Sequence, residues 1–217
     1  MNLNACITTL PDVKTLKQIL KGRAVLDWII CGHEFETYHT YYKSQQEEYE
    51  GNEAQIGLGF EDEDGASLSF YFTEGKCIII PSADVLAGKD GNNRAFEKKI
   101  PKVFQAYYRK HFSDTDTPFA LWSIDGTTWE FEENFATSEE ITKFDELTTD
   151  PKKYKRWALD FFGDETNISE TMSEQTITDL YNGKILTEPM VLSIVSEVLD
   201  WVDLETELDE MPYRFEF

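Results

Sequence analysis

Between residues 55 and 81 oily and polar positions alternate with the period of a β-strand, and the rest of the chain can be placed relative to that stretch. Ile56, Leu58 and Phe60 alternate with Gln55, Gly57, Gly59 and Glu61; Leu68, Phe70 and Phe72 alternate with Ser67, Ser69, Tyr71 and Thr73. The run Cys77-Ile-Ile-Ile-Pro81 is apolar on both faces, which places a third strand at the centre of a sheet covered on both sides. Asp64-Gly65 and Glu74-Gly75 fall in the connections, where glycine serves a backbone that needs positive φ. A meander of three antiparallel strands follows.

Upstream, Asp12 is placed to cap a helix that buries Leu16, Ile19 and Leu20 and stops at Gly22, and Val25, Leu26, Ile29 and Ile30 repeat the helical period up to Cys31-Gly32. Two short helices on the sheet are expected. The aromatic and β-branched residues of 33–42 suggest a further strand, with Tyr38 and Tyr42 on one face, and 43–54 reads as an exposed loop. Downstream, a helix over about 94–111, adjusted at Pro101, sets Phe104, Tyr107, Tyr108 and His111 against its basic side. Asp125-Gly126 between 119–124 and 127–132 is a hairpin signal of the type I′ kind.

From Ser138 the pattern turns helical. One helix uses Ile141, Phe144 and Leu147. A second starts at Asp150-Pro151, points Tyr154, Trp157, Ala158 and Phe161 inward and stops at Gly163. Ser173 opens a third, ended by Gly183. Thr187 caps a fourth containing Val191, Ile194, Val195 and Val198, and 200–211 continues it or forms a fifth, with Leu204, Leu208 and Met211 inward. The expected fold class is α+β: an antiparallel sheet of about six strands flanked by N-terminal helices, followed by a helical C-terminal half. The boundary falls at 137/138, with 1–137 forming the sheet and its covering helices and 138–217 an acidic helical region packed on it as one compact unit.

Charge narrows the function. The 217 residues carry 42 acids against 20 Lys and Arg, a net of −22. Residues 1–110 hold 16 acids and 13 bases, and 111–217 hold 26 and 7, so the halves carry −3 and −19. A field of that sign repels nucleic acid and anionic membrane and favours a basic protein partner. Three cysteines, Cys6, Cys31 and Cys77, show no framework spacing, no apolar run is long enough to span a bilayer, and no secretory signal opens the chain; a cytoplasmic location is expected. The basic segment with Arg94, Lys98, Lys99, Lys102, Arg109 and Lys110 reads as internal charge balance.

No catalytic constellation stands out. Cys31-Gly32-His33 with His39 lacks the second ligand pair of a zinc site, and Cys31 has no assured base. The acidic 61–65 lacks the ligand order of an EF-hand, and Gly88 and Gly91 do not form a phosphate cradle, so neither a metal nor a cofactor is expected. Trp122, Trp129, Trp157 and Trp201, with Tyr38 and Tyr42, are candidates for an aromatic groove, with core packing as the ordinary alternative.

The segments Val25-Leu-Asp-Trp-Ile-Ile30, Thr117-Pro-Phe-Ala-Leu-Trp122, Thr128-Trp129, Asp150-Pro-Lys-Lys-Tyr-Lys-Arg-Trp-Ala158 and Tyr181-Asn-Gly-Lys-Ile-Leu-Thr187 resemble a family of acidic bacterial α+β proteins. The family's aromatic motif before the first strand is replaced here by Cys31-Gly32-His33-Glu34. That resemblance implies a fold and transfers no catalytic residue. In size and acidity the chain is also similar to immunity proteins that neutralise bacterial toxins. The expected function is an acidic protein-binding module, an immunity-type inhibitor of a basic toxin or nuclease. It would occlude its partner through Asp200, Asp203, Glu205, Glu207, Asp209 and Glu210. A small-ligand module built on the aromatic groove and an enzyme with a carboxylate site are the rival classes. The sequence leaves the oligomeric state open.

Overall fold

A computed structural model describes residues 3–31, 40–44, 54–58, 67–82, 93–113, 117–133, 144, 147–163, 166–210 and 213–217. Helices α1 (Leu3–Thr9) and α2 (Val13–Cys31) precede strands β1 (Thr40–Ser44), β2 (Ala54–Leu58), β3 (Ser67–Thr73) and β4 (Lys76–Ser82). Helices α3 (Asn93–Glu97) and α4 (Lys102–Phe112) lead to β5 (Phe119–Ser123) and β6 (Glu130–Glu133). The remainder holds α5 (Pro151–Phe162), α6 (Glu174–Tyr181), β7 (Leu186–Thr187), α7 (Glu188–Val191), α8 (Trp201–Glu210) and β8 (Phe215–Glu216).

Strands β1 to β6 pair antiparallel in sequence order. The register aligns Ile56 with Phe70, Phe70 with Ile79, and Ile79 with Leu121, so one face is a continuous apolar surface. On the opposite face Tyr71, Ile78 and Trp122 line up. The first face packs on α2 and the C-terminal helices, and the second is covered by Phe96, Ile100, Phe104 and Tyr108 of the α3 and α4 segment. Strand β4 is buried from Cys77 to Pro81, as a strand covered on both faces must be.

The expected architecture of one antiparallel sheet followed by a purely helical half is overturned. The strands fall into two sheets: β7 and β8 form a parallel pair within the C-terminal half, joining Leu186 to Phe215 and Thr187 to Glu216. Two-residue strands carry no legible alternation, which is why the pair escapes a reading of periodicity. Nor do the N-terminal helices simply flank the sheet. Helix α2 is unbroken over 19 residues, buried from Gly22 to Cys31, and lies between the sheet and the later helices.

Gly22 explains the continuity. A Cβ there would meet Tyr181 Cδ1 at 2.9 Å and the Leu180 carbonyl carbon and oxygen at 3.1 Å, so this glycine permits α6 to cross α2 closely and does not end the helix. Asp12 does begin it: its carboxylate accepts from Thr15 N at 2.9 Å and Thr15 Oγ1 at 2.9 Å. Pro101 divides the basic helix into α3 and α4 instead of adjusting it, because a proline there cannot donate to the previous turn.

The two hairpin turns exchange expectations. Glu74 and Gly75 both have positive φ, 46° and 77°, and join the paired residues Thr73 and Lys76, as a type I′ connection requires. At Asp125-Gly126 only the glycine has positive φ. Asp125 Oδ1 instead accepts from Thr127 N at 2.8 Å and Thr128 N at 2.7 Å, winding a wider loop and holding this carboxyl well below the usual range. The loop then serves as an anchor, since Gly126 O accepts from Val13 N at 2.9 Å and Trp129 Nε1 donates to Pro11 O at 2.8 Å.

In the second half, Asp150 caps α5 by accepting from Lys152 N, Gly163 closes it, and Ser173 caps α6 by accepting from Thr176 N. The expected helix from Ser138 has only Phe144 and Leu147 among the described residues, both buried. The expected fourth helix shrinks to α7. Thr187 makes no side-chain cap, and Val195 instead bridges Ile168. Helix α8 is separate, started by Asp200.

Candidate functional site

Two places combine side chains that core packing alone does not explain. The first begins inside α2, where Arg23 (1% exposed) and Asp27 (0%) lie one turn apart in the wholly buried stretch from Gly22 to Cys31. Buried charge is costly unless satisfied. Asp27 Oδ2 accepts from Thr40 N at 2.8 Å, at the start of β1, and Oδ1 accepts from Tyr154 Oη at 2.8 Å, on α5. One carboxylate therefore joins helix, sheet and C-terminal half. Burial, and then the Asp27 charge beside it, pushes the Tyr154 hydroxyl well above its ordinary pKa, so it stays a proton donor to Asp27. Arg23 lies under two rings, its guanidinium carbon 5.3 Å from the Tyr154 centroid and 4.7 Å from that of Trp157.

Above this buried layer the exposed side of α5 opens a pocket of ≈ 510 Å³ with Arg23 and Tyr154 at its base. Trp157 and Phe161 form an aromatic wall, stacked with centroids 5.0 Å apart and planes 19° from parallel. Lys153, Arg156 and Asp160 complete the lining. The spacing of α5 produces this: positions 153, 156 and 160 share one stripe and 154, 157 and 161 the next. Phe161, expected inward, is 40% exposed, and Phe162 is buried in its place. Lys155 points elsewhere, donating to Met172 O at 2.8 Å.

The second place is α8 with the residue before its cap. Leu204 and Leu208 are buried, whereas Leu199 and Val202 are 70% and 69% exposed. Among the proposed partner-binding acids, Asp200 is committed to structure: its Oδ1 accepts from Val202 N at 2.8 Å and Asp203 N at 3.2 Å. Asp203 and Asp209 are exposed and Glu205 is half-buried; the side chains of Glu207 and Glu210 lie outside the described residues. No ion pair among the described residues involves Asp203, Glu205 or Asp209. The basic segment pairs elsewhere, Lys99 with Glu132 and Arg109 with Glu97, on the face of the sheet away from α8.

The structure does not bring Trp122 and Trp129 together. Trp122 is buried on the α4 side, donating to Glu130 Oε2 at 3.1 Å, and Trp129 is buried on the α2 side at Pro11. Tyr38 and the Tyr42 side chain lie outside the described residues, as do Gly32, His33, His39, residues 61–65 and Gly88 and Gly91. Cys31 and Cys77 are buried and not joined in a disulfide, and burial pushes the Cys77 thiol up. Among the described residues no group of three His, Cys, Asp or Glu is placed to hold a metal, and no helix is long and apolar enough to cross a membrane.

Sequence alone offers Trp157 both as a groove candidate and as an inward helix residue, but helical spacing places Phe161 in the core, so the α5 pocket is not legible there. The available signal was the cluster Lys152, Lys153, Lys155 and Arg156, four of the seven cations in an otherwise acidic half. Comparison with protein-family models, with curated proteins and with solved structures finds no match to this chain.

Proposed function

We propose that this protein is a protein-binding module that docks a basic partner on the outer edge of α8, in the manner of an immunity-type inhibitor of a basic toxin or nuclease. The observation that carries the reading is the pairing of exposed Leu199 and Val202 with the exposed carboxylates of Asp203 and Asp209 on one short element. Apolar anchors ringed by like charge are what a docking surface needs: the anchors supply affinity once desolvated, and the charges supply speed and choice of partner. The separation of charge favours the same reading. Lys99 and Arg109 neutralise Glu132 and Glu97, so they leave the acids of α8 to an external cation.

Occlusion is the proposed mechanism. Carboxylates on α8 meet the Lys and Arg groups with which the partner grips its own anionic substrate, and Leu199 and Val202 seal the contact from water.

The test is retention of a basic host protein by the immobilised chain at low salt, followed by titration of the purified pair. Retention should fade as ionic strength rises from about 50 mM to about 500 mM, where the screening length falls to a few ångström. Leu199→Ala with Val202→Ala should weaken the binary complex about tenfold or more. Asp203→Lys with Asp209→Lys should slow association and flatten the salt dependence. If no basic protein is retained at low salt, or if the charge reversals leave association unchanged, the reading fails.

A further inference from the structure

We infer that the α5 pocket is a binding site for a small molecule in which a flat apolar ring system carries an anionic group. This goes beyond the proposed docking edge and uses none of its residues.

The second half of the chain has a net charge of −19, yet Lys153 and Arg156 converge on one recess whose exposed lining holds a single carboxylate, Asp160. Neither Lys153 nor Arg156 enters an ion pair among the described residues, although Asp160 is four residues from Arg156, the spacing at which such pairs form on a helix. The rim is thus cationic and available, a local inversion of the surrounding field. A solvated surface needs no such clustering.

Shape supplies the rest. Phe161 stacks on Trp157, so the flat ring face left to a ligand is the outer one of Phe161, and the pocket is of the size that takes drug-sized ligands. Arg23 is held against the inner face of the Trp157 ring and is almost wholly buried, so the wall is braced from behind and is not a loose surface ring. Phe161 is 40% exposed, stacked on Trp157 and edge-on to Phe162, and it presents apolar ring surface to the recess. A ligand with a planar ring would lie along this wall while its carboxylate, sulfonate or phosphate reaches Lys153 and Arg156. A neutral ring would lose that second contact, and a cationic one would be repelled by it.

Anilinonaphthalene sulfonate and its uncharged relative phenylnaphthylamine are suitable probes, titrated by fluorescence against the full chain. The sulfonate should bind one saturable site and bind it more tightly than the neutral probe does. Lys153→Gln with Arg156→Gln should weaken sulfonate binding about tenfold at low salt and leave phenylnaphthylamine unchanged. Phe161→Ala should weaken both. All three substituted positions are exposed, and unchanged melting and near-ultraviolet circular dichroism would show that each variant keeps its fold. Absence of a saturable site, equal loss of both probes on removing the two cations, or indifference of both probes to Phe161→Ala would each overturn the assignment.

Discussion

At the scale of single residues, the most consequential group is the Asp27 carboxylate. It is buried, charged and satisfied by donors that belong to β1 and α5, elements distant from it in sequence. Asp27→Ala strands Arg23 without its neighbouring carboxylate and removes the acceptor of Thr40 N and Tyr154 Oη. The expected cost is about 3–5 kcal/mol. Tyr154→Phe deletes only one hydrogen bond to the charged group and should cost about 1.5–3 kcal/mol. Urea denaturation with a shared slope checks both, and a Tyr154→Phe variant less stable than Asp27→Ala would contradict this ordering. Neither residue advertises its role in the sequence. Asp27 and Arg23 stand out only as charges interrupting the apolar stripe of Ile19, Leu20, Leu26 and Ile30, and a stripe does not reveal that the far side of the helix is buried as well.

At the scale of elements, local chemistry was legible wherever a side chain acts on its own backbone. Asp12, Asp150 and Ser173 cap the helices that they were expected to cap, and Gly163 ends α5. The alternation of Phe70 and Phe72 with Tyr71 correctly separates two sheet faces. Where a second element decides the outcome, the sequence misled. Gly22 has the look of a stop signal, and its true partner is the Leu180 carbonyl on α6. Asp125-Gly126 has the look of a tight turn, and the Asp125 side chain opens it. The α5 pocket stayed hidden for the same reason: helical spacing places Trp157 and Phe161 beside Tyr154, but the depth of the contact with α2 determines which rings are covered.

Gly22 also yields a prediction at this scale. Alanine raises helix propensity by up to about 1 kcal/mol, whereas its Cβ would press on the backbone of Leu180, where overpacking costs about 1–3 kcal/mol. Gly22→Ala should therefore be mildly destabilising, and Gly22→Val, which adds two methyl groups at the same crossing, clearly more so. Thermal melts of the two variants rank them; a Gly22→Ala protein that melts above its parent would mean that α6 can slide away from α2.

At the scale of the whole molecule, charge dominates. A net of −22 on 217 residues sets carboxylates against one another, most strongly in the second half. Moderate salt should therefore raise the melting temperature, by several degrees between about 10 mM and about 200 mM, as it screens this repulsion. Calorimetry checks the sign, and a fall in melting temperature would show that attractive pairs such as Lys184 with Asp179 outweigh the repulsion. The same screening should weaken partner docking on α8. Stability and affinity are thus expected to move in opposite directions with ionic strength, a pattern that a surface of mere hydration has no reason to show.

The hydrogen bond from Tyr154 to Asp27 spans 127 positions of the chain. During synthesis α2 leaves the ribosome long before its counterpart on α5 exists, and for that interval a helix destined for the interior presents Leu20, Trp28 and two charges to solvent or to a chaperone. The six-stranded sheet can pair its strands in that time, but its α2 layer has nothing to close against. Assembly of the native state is consequently deferred until α5 has been made, and a ribosome stalled before that point would hold an adhesive, incomplete protein.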